Sequence, residues 1–460
     1  MKLTSCGHAF WILESTAGRI LFDPVFADPF EQGTVTACPS RTFLKEQLPE
    51  YDLVYISHRH LDHFHIPTLQ LLDKTKLILI PNDVLTIASM KKMGFTNIHI
   101  MEAFKPIRVQ KENTSLTLYP TPSVSEDFLE YGLLIVESSP HGTHTLFNQV
   151  DTPLSDDCIA NILSIAPQID VHFAMFASQD FGWFHGVSGS LAETYTQNLY
   201  AVHRIKAKFV VPAAAGFRFV DRYQFLNQLL FPISQSRFIH DVQATLPTTQ
   251  CHAINPGDIL HIEESITVSA QASSFVAMKE NDLYLIQYDP TTPIPALTDH
   301  NIANFPLHHL HGFATAVIEQ GFVAYLQAGI AQKEEKVSVY TDHNAVYQLS
   351  VVFPDQTKNW TFSFSQDGFS LEKGESIHSP DALWKLTASA LLELCEGKKS
   401  CWAIRPDSRK WSQLFRPQQT PMGLRTFEVE LPELLTHFIL NLRIRSRGEE
   451  QALLEYYGLC

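Results

Sequence analysis

The chain has 460 residues, 45% of them hydrophobic and 18% charged. That is enough to bury substantial cores and too long for one ordinary domain, so two are expected. A formal net charge of −15 leaves no basic footprint and speaks against a nucleic-acid partner. No apolar stretch reaches the ~20 residues that span a bilayer, and Met1–Cys6 runs straight into a strand without a signal-peptide core. Seven scattered cysteines fit reduced thiols rather than a disulfide framework. A cytoplasmic protein without membrane association is expected.

In chain order, residues 9–13 and 19–23 are short β-prone runs joined around Gly18, a hairpin pattern that Asp23-Pro24 ends. The apolar run Leu53-Val54-Tyr55-Ile56 reads as a strand, and Ser57-His58-Arg59-His60-Leu61-Asp62-His63 follows it directly. A turn after a strand projects His58 and His60 toward one point, while Asp62 and His63, opening the next helix, face a second point nearby. Four ligand-type side chains in one turn indicate a metal site. Imidazole nitrogen suits zinc, iron and copper, and an added carboxylate widens the choice toward iron and manganese. Residues 66–92 read as helix, apolar strand (Leu77–Ile80) and helix, and residues 190–203 as a helix before a strand at 207–212. His144 alternates along a strand and reads as a packed residue. His185, in the loop Gly182-Trp183-Phe184-His185-Gly186, is a candidate terminal ligand or substrate contact. Arg218 and Arg222 are candidates for holding an anionic group, with solvated surface as the default.

The pattern loosens at 263–300, where Asp289-Pro290-Thr291-Thr292-Pro293 is the strongest linker signal. His308-His309-Leu310-His311 has no Cys or carboxylate at ligand spacing and reads as a hydrogen-bonded surface cluster. Three β-rich runs follow, at 337–340, 347–353 and 360–364, and residues 379–393 read as a helix. Together these predict a small α+β domain resembling the sterol-carrier fold, its aromatics taken as core.

His-x-His-x-Asp-His after a hydrophobic strand resembles the signature of the metallo-β-lactamase superfamily. Gly7–Glu14 and Gly18–Phe26 look like the first hairpin of its hydrolase branch. The resemblance implies an α/β architecture, an αββα sandwich over residues 1–265 with metals at one edge, then a linker at 266–300 and the α+β accessory domain at 301–460. It also exposes departures. Hydrolases of this fold supply a third His after a strand like Leu118–Pro122, where this chain has Ser123-Val124-Ser125-Glu126-Asp127, and a last His in a Pro-His-x-Gly turn, where it has Pro212-Ala213-Ala214-Ala215-Gly216. Asp151 fits the bridging carboxylate, and Glu126 stands where a replacement ligand is needed.

A His-His-Glu set beside an Asp-His set and a bridging Asp is similar to the iron site of the β-hydroxylase of chloramphenicol biosynthesis, which activates dioxygen. Asp170–Phe184 and Asn255–Leu260 look like stretches of the CMP-N-acetylneuraminate hydroxylase family, whose members carry a Rieske cluster needing two Cys and two His. Cys6-Gly7-His8 is followed by no Cys-x-x-His, so no Rieske domain is expected, and electrons would come from an external donor protein or from the substrate.

The favoured expectation is therefore a diiron oxygenase that uses O2 to hydroxylate a small or carrier-bound metabolite. His58, His60 and Glu126 would hold one iron, Asp62 and His63 the other, Asp151 would lie between them, and Asp62 and Glu126 would touch the chemistry. Zinc or manganese is the alternative metal. The same residues would also suit a hydrolase of an ester, lactone or phosphodiester, or a metal-binding scaffold without turnover.

Overall fold

The computed structural model describes residues 1–124, 129–179, 191–289, 291–374, 379–421 and 423–460. The chain divides into two compact units. The first holds the described residues of Met1–Gln179 and Ser190–Thr292 with Leu459–Cys460, and the second those of Pro293–Gly458.

Two large sheets build the first unit. One has eight strands in the spatial order Ile266–Ser269, Ile259–Ile262, Lys2–Ser5, Trp11–Ser15, Gly18–Phe22, Leu53–Tyr55, Leu77–Ile80 and Ile98–Ile100. The other has seven, running Gln250–Cys251, Phe209–Ala213, Val171–Met175, Gly142–Asn148, Tyr131–Ser139, Thr114–Pro122 and Ile107–Lys111. Their inner faces share one core. Leu3, Trp11, Leu13 and Phe22 of the first sheet pack with Leu118, Leu133, Ile135 and Phe173 of the second, and the Trp11 and Phe173 rings stack at 4.2 Å. Along Tyr131–Ser139 the faces alternate: Leu133 and Ile135 enter the inter-sheet core while Leu134 packs outward, under the helices Asp156–Ile165, Leu191–Ile205 and Gln235–Thr245. Apolar residues on both faces are what a sheet covered on both sides requires.

Two short helices, Ile66–Leu71 and Val84–Lys92, flank the strand Leu77–Ile80 as the sequence predicts. Asp62 and His63, however, lie in the turn before the first helix rather than at its start. The stretch expected as a linker from 266 begins with two strands of the first unit: Ile266–Ser269 pairs with Ile259–Ile262, and Val276–Glu280 with Ser40–Phe43. No helix among the described residues is long and apolar enough to cross a membrane.

The second unit contains a five-stranded sheet in the order Gly368–Lys373, Thr357–Ser365, Val346–Val352, Ala382–Thr387 and Ser408–Ser412. Its core joins Trp360, Phe362, Tyr347 and Leu386 to Phe322, Leu326, Phe438 and Ile439. Two sequence expectations fail here. Residues 337–340 lie in the helix Glu335–Asp342, where Val337, Tyr340 and Thr341 are buried at helical spacing. Residues 382–387, expected as helix, form a strand in which Ala382, Trp384 and Leu386 are buried at every second position. The helix begins only at Ala388, capped by Thr387.

Candidate metal centre

Topology gathers the candidate side chains at one end of the first sheet. Gly18–Phe22, Leu53–Tyr55 and Leu77–Ile80 run parallel, so the residues after Phe22 and Tyr55 emerge side by side. Asp23 follows the first of these strands. Its backbone N–H donates to Tyr55 O at 2.9 Å, and its buried carboxylate accepts from Ser57 N at 2.8 Å and Ser57 Oγ at 2.7 Å. The antiparallel register Trp11↔Phe22 brings the preceding turn to the same end, and this turn carries His8. Gly7 and His8 both take left-handed conformations, with φ of 86° and 54°. Arg41 clamps them, its Nη1 donating to Cys6 O and Gly7 O at 2.6 and 3.0 Å. A Cβ at Gly216 would lie 3.0 Å from His8 N, so only glycine lets that backbone approach.

Two sets of three donors result: His8, Asp62 and His63, and His58, His60 and Asp151. Within each set the ligand atoms lie within 4.8 Å of one another. The Ser57 hydroxyl has one proton, and only the Asp23 carboxylate must accept it. Ser57 Oγ therefore donates to Asp23 and accepts from His58 Nδ1, 2.9 Å away, which leaves His58 Nε2 as a lone pair facing His60 Nδ1 at 2.9 Å. His63 Nδ1 donates to Asp23 Oδ2 at 2.9 Å, so its Nε2 faces Asp151 Oδ2 at 3.1 Å. One buried carboxylate thus fixes the orientation of two candidate ligands, as outer partners of metal-bound histidines do.

The electrostatics suit a cation. Burial and the nearby imidazoles of His63 and His60 hold His58 well below the ordinary imidazole value. Burial disfavours ionised Asp62, yet the charge of His63 and the His8 hydrogen bond of 3.0 Å outweigh it and keep the carboxyl well below its usual range. Burial likewise opposes charging His63, and there Asp62, Asp151 and Asp23 prevail and raise it well above its ordinary value. A site that stabilises positive charge on a buried imidazole ringed by carboxylates suits a metal ion. His8 Nδ1 is in addition buried without a hydrogen-bond partner in the described structure, and an ion would relieve an arrangement that is otherwise unfavourable.

Asp151 comes from the second sheet, just past the strand Gly142–Asn148. Val150 before it has φ 56°, a strained conformation for a β-branched residue. Buried His172 donates from Nε2 to Gln149 Oε1 at 3.0 Å, and Gln149 Nε2 donates to Thr152 O at 3.0 Å. Burial pushes His172 down to about 3, so the ring is neutral and serves as a strut for the Asp151 turn. Asp151 Oδ2 lies 3.1 Å from His63 Nε2 and 3.9 Å from His58 Nε2, between the two sets.

Of the residues singled out in the sequence, His58, His60, Asp62, His63 and Asp151 converge, while Glu126 and His185 lie outside the described residues. The grouping differs from expectation. Asp62 and His63 are completed by His8, and Asp151 groups with His58 and His60. His8 and Asp23 were both legible as residues, at Gly7-His8 and at Asp23-Pro24, but their roles depend on strand register. Arg218 is tied to buried Asp282 at 2.8 Å, and the Arg222 guanidinium lies 4.7 Å over the ring of Tyr223. His311 pairs with Asp355 at 3.0 Å on the surface of the second unit.

Residues 2–118 match the β-lactamase superfamily domain. That stretch is similar to a domain of this superfamily. The first unit's two-sheet sandwich with outer helices is the metallo-β-lactamase fold. Over 101 residues the chain is 34% identical to a Mycolicibacterium smegmatis protein provisionally named a Rieske 2Fe-2S iron-sulfur protein, a match covering 21% of this chain and 19% of that one. Over 77 residues it is 40% identical to the cytidine monophosphate-N-acetylneuraminic acid hydroxylase of Danio rerio, covering 16% and 13%. The chain thus spans less than a fifth of the length of either relative. Among solved structures, the isothiocyanate hydrolase from Delia radicum gut bacteria aligns over 57% of this chain and 99% of that chain, at 15% identity and a TM-score of 0.41. Sterol carrier protein 2 from Yarrowia lipolytica aligns over 22% and 88%, at 20% identity and a TM-score of 0.18.

Proposed function

We propose that this chain is a dinuclear metal enzyme and that its metal is iron, in an oxygenase acting on a small or carrier-bound metabolite. The observation that carries the reading is the make-up of the donor sets: each has two imidazoles and one carboxylate, the ligand type of non-haem iron oxygenases. Iron held there supplies dioxygen activation, whereas zinc would supply a nucleophilic water. The chain's own contribution is orientation. Asp23 and Ser57 present His58 Nε2 as a lone pair and turn His63 Nε2 toward Asp151, and the His172–Gln149 strut positions Asp151. Glu126 is proposed as a further oxygen ligand. In that role Glu126→His lowers iron content, and unchanged metal content removes it from the site.

A hydrolase is the second reading, favoured by Asp151 Oδ2 lying between the two sets as the bridging group of a two-metal hydrolase would. Optical spectra of the purified protein before and after reduction, and then on exposure to oxygen, separate the readings. An absorption that responds to oxygen supports the oxygenase. A silent spectrum with zinc as the bound metal overturns it in favour of the hydrolase.

A further inference from the structure

A cavity of about 460 Å³ opens in the first unit, and its place in the sheet ties it to the donor sets. Phe176 and Ala177, in its wall, follow the strand Val171–Met175, while Ala215 and Gly216 follow the parallel strand Phe209–Ala213. The next parallel neighbour is Gly142–Asn148, beyond whose end stands Asp151. Cavity and Asp151 therefore share the carboxyl end of three adjacent strands, the usual place for ligands in such sheets. Gly216 adds a second link, because its backbone lies directly against His8, and the neighbouring Phe217 ring meets the His8 ring at 5.7 Å.

The lining is apolar, with Phe176, Phe231, Ile233, Ile239, Leu283 and Ile286 as its walls. No described residue that lines it carries a charge, in a chain whose net charge is −15. Exposed Ser234, Ser236 and Gln287 supply a neutral polar rim. The arginines within two residues of lining positions are paired with carboxylates, Arg218 with Asp282 and Arg237 with Asp241, at 2.8 and 2.7 Å. A phosphate or carboxylate entering here would lose hydration with no cation among the described lining residues to replace it, whereas an alkyl or aryl group gains by burial.

We propose that this cavity seats the apolar part of an uncharged, hydrophobic substrate, and that the substrate is not a nucleotide sugar. The inference rests on the proposed function in taking the donor sets as the reaction centre. The test is a fluorescence titration of the full chain with N-phenyl-1-naphthylamine, an uncharged aryl probe, with metal content measured in parallel. Wild type should bind the probe saturably. Ala177→Trp, which fills the cavity, and Ile239→Gln, which makes it polar, should each weaken binding about tenfold or more with metal content unchanged, and cytidine monophosphate should not displace the probe. Absence of saturable binding, binding unchanged in both variants, or displacement by cytidine monophosphate overturns the proposal. Asp62→Ala distinguishes the two readings: it should strip metal and keep probe binding, so failure of the metal enzyme and failure of the cavity are read separately.

Discussion

The two donor sets differ in what surrounds them. His8, Asp62 and His63 are all buried, and the set is closed by the clamped His8 turn on one side and the Asp23 carboxylate on the other. The second set begins with fully buried His58 but ends on Asp151, whose side chain is 30% exposed. One set is part of the core and the other opens to solvent. Loss of a ligand should therefore be felt as lost stability and lost metal in the first, and mainly as lost metal in the second.

The largest effect is expected at Asp23, which belongs to neither set and supports both. Asp23→Ala removes the acceptor of Ser57 N, Ser57 Oγ and His63 Nδ1 and should cost about 3–5 kcal/mol in urea denaturation, with metal lost as well. A loss below about 1 kcal/mol would deny it that supporting role. Asp62→Ala and Asp151→Ala sharpen the contrast. The first leaves buried His8 without its carboxylate partner and takes from His63 one of the three it faces, and should destabilise by roughly 2–3 kcal/mol. The second, partly exposed, should cost about 1 kcal/mol or less while still lowering metal content. Equal losses would erase the distinction between closed and open.

Acid should act on the closed side through His65, which caps the helix Ile66–Leu71. Burial and nearby Arg41 push His65 down to about 4 from 6.5. Its folded value is depressed, so its contribution to stability is complete above 6.5 and is lost as pH falls toward 4, where the unfolded chain binds the proton first. Between pH 7 and pH 5 this amounts to about 2 kcal/mol. Denaturation in the presence of a chelator reads it, and His65→Asn, which retains the cap, should flatten the dependence. The smallest effect is expected at the strut behind the open set: His172→Phe should weaken metal binding about tenfold, and an unchanged affinity in a metal titration would show that Gln149 holds the Asp151 turn unaided.

The residues most legible in the sequence were those whose geometry is local. His58, His60, Asp62 and His63 follow one strand within a single turn, so no long-range register is needed to see them together. His8 and Asp23 enter through an antiparallel register and a parallel neighbour, neither of which is visible in spacing, and Asp151 was placed through resemblance to the superfamily. The sandwich was readable because its strands are apolar on both faces and the signature turn is specific. The second unit was harder because short windows carry ambiguous periods. Val337-Ser338-Val339-Tyr340 alternates like a strand, yet its buried members fall at helical spacing, whereas Ala382–Thr387, beginning beside Pro380-Asp381, resembled a helix start but buries every second residue.

Whether the two donor sets form one dinuclear centre is read most directly from the metal content of this chain isolated without added metal. About two ions per chain are expected, iron foremost, with a reduced count in both Asp62→Ala and Asp151→Ala. A chain that holds no metal, or whose metal content is indifferent to both substitutions, would contradict the dinuclear centre.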